Sequence, residues 1–317
     1  MIECVPNFSE GRKREVPARI SAAMASAGAR ILDWHLDADH NRSVLTCAGA
    51  PEVMAEAAVR GVACAAKLID LRRHAGQHPR VGAADVVPFV PLAGATMADC
   101  VRLAHLTGRR IAEELGIPIY FYEHAALRPE RRNLADVRRG GYELLRSTIS
   151  TPERAPDVGP ARLHTDAGAC IVGARQFLVA YNINLATDDM RIAQRIASTI
   201  RARDGGLPGL KALGLYLASR RCAQVSMNLT DYTQTGLHQA YEAVRRTALQ
   251  LGVTIAGHEF VGLVPQAALD AGAEYFRQMG IAVPDVSLEK RLSESDNSRY
   301  AVWGLARETG VSVKPRA

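Results

Sequence analysis

The chain has 317 residues, 48% of them hydrophobic and 23% charged, a globular composition that excludes disordered, collagen-like and mucin-like classes. No run approaches the ~18–20 consecutive apolar residues of a membrane span. The N-terminus, Met1-Ile2-Glu3-Cys4-Val5-Pro6-Asn7, opens on strand-like sequence without signal-peptide features, so a cytoplasmic protein is expected. The net charge is +6, and only five of the 39 basic residues are lysine. A coding bias would explain that arginine excess; so would an anionic small-molecule partner suited to the guanidinium fork. With 5% aromatics and basic residues in short pairs, nucleic acid is a weak reading.

Taken in chain order, Ile2–Pro6 reads as a strand, Glu10–Ser26 as a helix, and Arg30–Leu36 and Arg42–Ala48 as two further strands. A helix opens at Pro51, with Met54, Ala58, Val62, Ala65 and Ile69 at helical spacing. Ala84–Leu92 is a strand, Thr96 with Asp99 starts a helix that runs to Leu115, and Pro118–Tyr122 is a strand. The first six elements therefore run β-α-β-β-α-β. Thr151–Gly168, rich in Pro and Gly, reads as a linker. The order then repeats: strand Phe177–Leu185, helix Asp188–Ala202, strands Lys211–Ala218 and Cys222–Leu229, helix Gly236–Leu251, strand Val253–Phe260 and a last helix near Pro265. Two copies of this order predict two ferredoxin-like α/β sandwich subdomains, residues 1–176 and 177–317, with a ligand cleft between them. In the second, Asn182 and Asn184, and Gln224, Ser226 and Asn228, alternate with apolar residues. Asparagine is depleted in strands, so this polar face is either solvated or lines the cleft.

Six scattered cysteines with no C-x-x-C spacing read as buried reduced thiols and exclude a zinc ribbon. The densest chemistry lies in Asp70–Asp85, which contains His74-Ala75-Gly76-Gln77-His78-Pro79-Arg80. A metal reading of the two histidines fails because Gly76 interrupts the span and Pro79 pushes His78 out of the α region. General acid–base work suits the loop better, since an imidazole takes and returns a proton near neutrality; the alternative is a structural loop histidine. Asn7-Phe8-Ser9-Glu10-Gly11 follows the first strand, where Asn7 or Ser9 would cap the next helix or line a site. Asp37-Ala38-Asp39-His40-Asn41-Arg42 is a polar turn that also gathers carboxylate, imidazole, amide and guanidinium. Gly205-Gly206-Leu207-Pro208-Gly209 lacks the Lys and Ser/Thr of a phosphate loop and reads as a flexible connection.

Glu3-Cys4-Val5-Pro6-Asn7-Phe8-Ser9-Glu10-Gly11, Asn41-Arg42 and His78-Pro79-Arg80 with Gly82 and Asp85 together resemble the formiminotransferase family. The match continues in Gly173-Ala174-Arg175, Phe177–Leu185, Gln224–Leu229 and Val261-Gly262-Leu263-Val264-Pro265, while residues after about Gly280 match nothing familiar. The resemblance implies transfer of a formimino group from N-formimino-L-glutamate to N5 of tetrahydrofolate, giving 5-formimidoyltetrahydrofolate and L-glutamate in histidine breakdown. It implies tetrahydrofolate as co-substrate, with polyglutamylated forms allowed, no metal, and a single-function form without the cyclodeaminase domain. The family's catalytic histidine falls on His78. Its folate-binding segment falls on Gly159-Pro160-Ala161-Arg162-Leu163-His164-Thr165-Asp166-Ala167-Gly168. For the donor, Asp37 or Asp39 would orient the cationic formimino group and Arg42 and Arg80 would take its carboxylates. Asn7, His40, Asn41, Asn182, Asn184 and Asn228 would complete the substrate site. An N-formylglutamate donor and a non-catalytic folate-binding module are the alternatives, and a homodimer is allowed.

Overall fold

The computed structural model describes residues 1–294. Its elements are β1 (Ile2–Cys4), β2 (Asn7–Phe8), α1 (Glu15–Ala25), β3 (Arg30–Asp37), β4 (Arg42–Gly49), α2 (Pro51–Leu68), β5 (Ala84–Pro91), α3 (Met97–Leu115) and β6 (Ile119–Glu123). There follow two short helices, α4 (Leu134–Val137) and α5 (Gly141–Thr148), and then β7 (Cys170–Ala174). The second series is β8 (Val179–Leu185), α6 (Met190–Ile200), β9 (Leu210–Leu217), β10 (Cys222–Leu229), α7 (Leu237–Gln250), β11 (Ile255–Val261), α8 (Gln266–Gln278) and α9 (Leu288–Ser293).

β1 and β2 are one interrupted strand, antiparallel to β4 on one side and β5 on the other. With β3 beside β4, the order of this unit is β3-β4-β1/β2-β5, and the second sheet repeats it as β9-β10-β8-β11. In both, the first strand lies between the third and the fourth, the ferredoxin-like arrangement expected from the element order.

The helices form for legible reasons. Met54, Ala58, Val62, Ala65 and Ile69 are all buried, which seats α2 on the sheet; each large side chain so buried is worth about 1.5–3 kcal/mol. Thr96 and Asp99 make a reciprocal capping box that starts α3. In the second unit, Leu237, Ala240, Tyr241, Val244 and Ala248 bury the inner face of α7, and Tyr181 stacks on Phe260 at 4.5 Å.

The stretch read as a linker differs. Residues 151–168 fold back onto the first unit. Asp157 accepts from the Phe121 N–H at 2.8 Å and pairs with Arg131 at 2.5 Å, both of their side chains buried. The chain then enters β7, which lies between β5 and β6 and is parallel to both. Cys170-Ile-Val-Gly-Ala is an unbroken apolar run of a strand buried on both faces, so it lacks the alternation that marks a half-exposed strand. α4 and α5 cover the β6–β7 end of the sheet face opposite α1–α3, burying Val86, Tyr122, Val137, Leu145 and Ile171 together.

The rest of that face meets the second unit. Leu32 and Ala48 pack with Leu263 and Leu288, and Arg30 donates to the Leu292 carbonyl (2.9 Å) and the Glu294 carbonyl (2.7 Å) at the end of α9. At the other edge, the Asp39 carboxylate accepts from the Ser219 N–H at 2.9 Å and from its hydroxyl. Part of the polar face of the second sheet is buried toward this contact. Asn182 is 3% exposed and Gln224 0%, and the Glu259 carboxylate acts electrostatically on His35 and His40 of the first unit. No described helix is long and apolar enough to cross a membrane, and all six cysteines are free.

Candidate active site

The β3–β4 turn, the strand end after β1 and the 74–80 loop converge because each contains a residue that tolerates close backbone approach. Asn41 adopts a left-handed φ of 49°, a conformation that asparagine accepts more readily than most residues. Its Oδ1 accepts from the Gly11 N–H at 3.0 Å, and its Nδ2 donates to the Ala75 carbonyl at 3.0 Å. At Gly76 a Cβ would come within 2.2 Å of the His40 carbonyl oxygen, so only glycine lets the loop lie against the turn. Ser9 caps no helix: its hydroxyl donates to the Gly82 carbonyl at 2.7 Å, fastening the first loop to the start of β5, and α1 begins at Glu15 without a side-chain cap.

These loops enclose a small cavity lined by Asn7, Phe8, Ser9, His40, Asn41, Arg42, His74, His78, Arg80 and Asp85. His78 is half-buried on its wall. Its Nδ1 lies 2.8 Å from the Pro79 carbonyl oxygen. A carbonyl can only accept, so Nδ1 carries the proton and Nε2 keeps its lone pair. Burial, reinforced by the Arg42 and Arg138 guanidinium groups, holds the imidazole well below its ordinary pKa and therefore neutral at pH 7. The arrangement provides an uncharged base whose free nitrogen is Nε2.

The second histidine of the loop has no free nitrogen. His74 Nε2 donates to the Asn41 carbonyl at 2.9 Å, and Nδ1 accepts from Arg80 Nε at 2.9 Å. His40 is 5% exposed, with its ring 6.0 Å from that of His78 and its Nε2 buried without a partner. Burial lowers its pKa too, partly opposed by Asp37.

The other expected site residues divide. Asn7 turns its Oδ1 to Arg42 Nη2 and donates from Nδ2 to the Val5 carbonyl at 2.8 Å. Arg42 is pushed down to about 9 by burial, with Arg138 nearby. Asp37 accepts from the His40 N–H at 2.7 Å and is half-buried, whereas both oxygens of Asp39 hold Ser219. Arg80 lines the cavity and is forked onto the exposed Glu143, at 3.0 and 2.8 Å. On the second sheet, Asn182 donates to Glu259 Oε1 at 3.3 Å and Asn184 accepts from Gln224 at 2.9 Å, while Asn228 is exposed.

A second, larger cavity of about 560 Å³ lies beside the first. Ala161, Arg162, Leu163, His164 and Thr165 line it together with Arg72, Tyr142, Arg146, Ile149 and Ser150. Arg80 joins the two: it lines the small cavity, and its guanidinium lies 5.9 Å from the centre of the Tyr142 ring, which lines the large one. The remaining residues of the 159–168 segment hold structure. Gly159 and Gly168 take left-handed φ of 91° and 70°, the Asp166 carboxylate pairs with Arg72 at 2.7 Å, and the Ala167 carbonyl accepts from Ala83 at 2.8 Å. Pro160 does not line the cavity. Among the described residues, no group of three or more His, Cys, Asp or Glu could hold a metal ion.

Residues 1–175 match the family model of the formiminotransferase domain, N-terminal subdomain, and residues 180–292 match that of the formiminotransferase domain. The chain belongs to the formiminotransferase family. Its second match reaches residue 292, beyond the point near Gly280 where the sequence ceased to look familiar. The chain is 47% identical to the glutamate formimidoyltransferase of Thermoplasma acidophilum, over 94% of this chain and 99% of that one. To the Streptococcus pyogenes glutamate formimidoyltransferase it is 42% identical, over 93% and 98%. The formimidoyltransferase-cyclodeaminase of Sus scrofa is 44% identical over the whole of this chain but only 58% of its own length. Among solved structures, a conserved protein from Enterococcus faecalis V583 is 11% identical with a TM-score of 0.19, a likeness too slight to carry an argument.

Within this formiminotransferase chain, two groups near the cavity escape a reading by spacing. Arg138, at the end of α4, donates to Asp85 Oδ2, a partner 53 positions away in sequence. Glu259 on β11 is met by Arg220 at 3.0 Å, Gln224 at 3.0 Å and Asn182. Burial opposes its ionisation, but these donors hold the carboxyl below its usual range. The only sequence signal for Arg138 is the doublet Arg138-Arg139, which resembles any solvated basic pair.

Proposed function

We propose that this chain is a glutamate formimidoyltransferase that moves the formimino group of N-formimino-L-glutamate to N5 of tetrahydrofolate, releasing L-glutamate, as a step of histidine degradation. The observation that carries the reading is the His78 ring on the cavity wall, whose Nδ1–H is engaged by the Pro79 carbonyl so that Nε2 is its basic nitrogen. N5 attacks the formimino carbon and gives a tetrahedral intermediate. The N5 proton passes to Nε2, and the resulting imidazolium returns it to the glutamate nitrogen as the carbon–nitrogen bond breaks. One imidazole serves both transfers, the role in which histidine typically contributes about 10²–10⁴ in rate.

The fit of the co-substrate rests on the larger cavity. Its volume of about 560 Å³ is in the range of sites for folate-sized molecules, and Arg146 and Arg162 on its lining suit an anionic glutamyl tail, single or extended. Arg80 on the small cavity and Tyr142 on the large one lie in contact, which puts the co-substrate cavity next to the loop of His78. For the cationic formimino group, Asp37 is favoured over Asp39, whose oxygens are engaged by Ser219. We divide the catalytic unit between Gln176 and Phe177, and a cytoplasmic location goes with the reaction.

The test mixes the purified chain with both substrates and follows the absorbance of 5-formimidoyltetrahydrofolate. Formation of that product with equimolar L-glutamate is the expected result. Preferential turnover of N-formyl-L-glutamate would reassign the donor, and folate binding without transfer from either donor would overturn the enzymatic reading.

A further inference from the structure

Near His78 the Asp85 carboxylate acts electrostatically on Arg42 but pairs with Arg138. Arg138 Nη2 donates to Asp85 Oδ2, while Asp85 Oδ1 accepts from the Val81 N–H at 2.8 Å. The side-chain partner of Arg42 is the neutral amide oxygen of Asn7. The Nε–H of Arg42 and the Nε–H of Arg138 are both buried and donate to nothing among the described residues. Elsewhere in the same unit the buried Arg131 faces the Asp157 carboxylate at 2.5 Å. Buried donors on cations are costly to leave without acceptors, so two of them in one place point to an anion that arrives from outside.

We propose that Arg42 and Arg138 form the subsite that takes the α-carboxylate of the donor amino acid. The assignment rests on the formimino-transfer reading and extends it to the way the donor is held. A carboxylate has two oxygens to accept the two Nε–H groups. The α-carboxylate is selected because the departing nitrogen is bonded to the same carbon that bears it. Anchoring this carboxylate therefore fixes the nitrogen that His78 must protonate, whereas the γ-carboxylate lies two methylenes further off. Arg80, by contrast, already has a carboxylate partner in Glu143.

The subsite also links binding to chemistry. Arg42 and Arg138 are the charges that, with burial, keep His78 a weak base. A carboxylate seated between them offsets those charges, so the imidazole gains proton affinity when the donor is in place.

The analogue series needs no variant. L-Glutamine keeps the α-carboxylate and L-isoglutamine replaces it with an amide. As competitors of N-formimino-L-glutamate at saturating tetrahydrofolate, glutamine should bind about 10- to 100-fold more tightly than isoglutamine. In Arg138→Gln, the donor KM should rise by about the same factor and the preference should shrink to under about twofold, with the tetrahydrofolate KM unchanged. Arg138→Lys should recover part of the loss, since it restores the charge but not the fork. By NMR, the His78 pKa should rise when glutamine is added to the wild type, and isoglutamine should leave it in place. Equal competition by the two amides, a preference for isoglutamine, or an unchanged donor KM in Arg138→Gln would overturn the subsite while leaving the reaction intact. If L-glutamate itself fails to compete with the donor, the donor reading falls, and the subsite with it.

Discussion

The two β-α-β-β-α-β units share strand order and layer arrangement, yet their buried polar groups stand in different states. In the second, the Glu259 carboxylate is met by Arg220, Gln224 and Asn182, and of this group only Gln224 Oε1 lacks a partner. In the first, Arg42 Nε, Arg138 Nε and His40 Nε2 are buried and unpartnered among the described residues. A polar network that closes on itself makes a wall; one that stays open has acceptors and donors to give to a ligand. One backbone plan thus serves two ends, and the division of labour lies in side-chain bookkeeping rather than in topology.

The sharpest way to break this comparison is at His78. Replacing it with alanine should lower turnover by about 10²–10⁴, with the circular-dichroism melt and tetrahydrofolate affinity close to wild type. Near-normal turnover would move the chemistry elsewhere. Next comes Asp157, the buried carboxylate that faces Arg131 in the first unit. Asp157→Asn removes the carboxylate that faces buried Arg131 and should cost about 3–5 kcal/mol in urea unfolding. A loss under about 1 kcal/mol would mean that residues 151–158 are the loose connection their composition suggests.

That last contrast marks what the sequence discloses. The order of elements is legible because strands with one exposed face alternate and helices carry a 3.6-residue stripe, as α2 and α7 do. β7 is not, because a parallel strand covered on both faces shows neither pattern, and its partners β5 and β6 lie far back in the chain. The cavity is legible through the loops of Asn7, Asn41 and His78, which gather amide, imidazole and guanidinium groups at strand ends. Arg138 is not, because an arginine after a short helix resembles a solvated one until Asp85 is seen opposite. Arg80 presents the reverse: its place beside His78 is readable, but its commitment to Glu143 is not.

pH separates the open and closed groups by a smaller effect. His78 titrates at a pKa well below 6.5 in the fold, chiefly through burial, so its contribution to stability is complete above 6.5 and is lost as pH falls toward the folded value. Each tenfold difference in proton affinity is worth about 1.4 kcal/mol. Glu3, raised by burial from 4.5 to about 7, acts the other way: its contribution is complete below 4.5 and is lost as pH rises through 7. Urea unfolding of the wild type alone would therefore show the two trends partly cancelling. The difference between wild type and His78→Asn should narrow from pH 7.5 to 5.5, and the difference between wild type and Glu3→Gln should change in the opposite sense. A flat His78 difference would mean that the ring is as well solvated in the fold as in the unfolded chain.

The smallest effect comes from two asparagines that the strand pattern treats alike. Asn182 on β8 and Asn228 on β10 both fall in the polar alternation of the second sheet, but Asn182 is 3% exposed with its amide on Glu259, whereas Asn228 is exposed. Asn182→Ala leaves a buried carboxylate oxygen short of one donor, at a cost of about 1–3 kcal/mol. Asn228→Ala removes a side chain from water and should stay within about 0.5 kcal/mol of wild type. Thermal melts of the two variants measure how deep the wall of the cleft extends along the sheet. Equal losses would mean that the polar face is buried throughout its length. Equal silence would mean that the Glu259 network contributes nothing that water could not replace, and the closed half of the comparison would lose its physical basis.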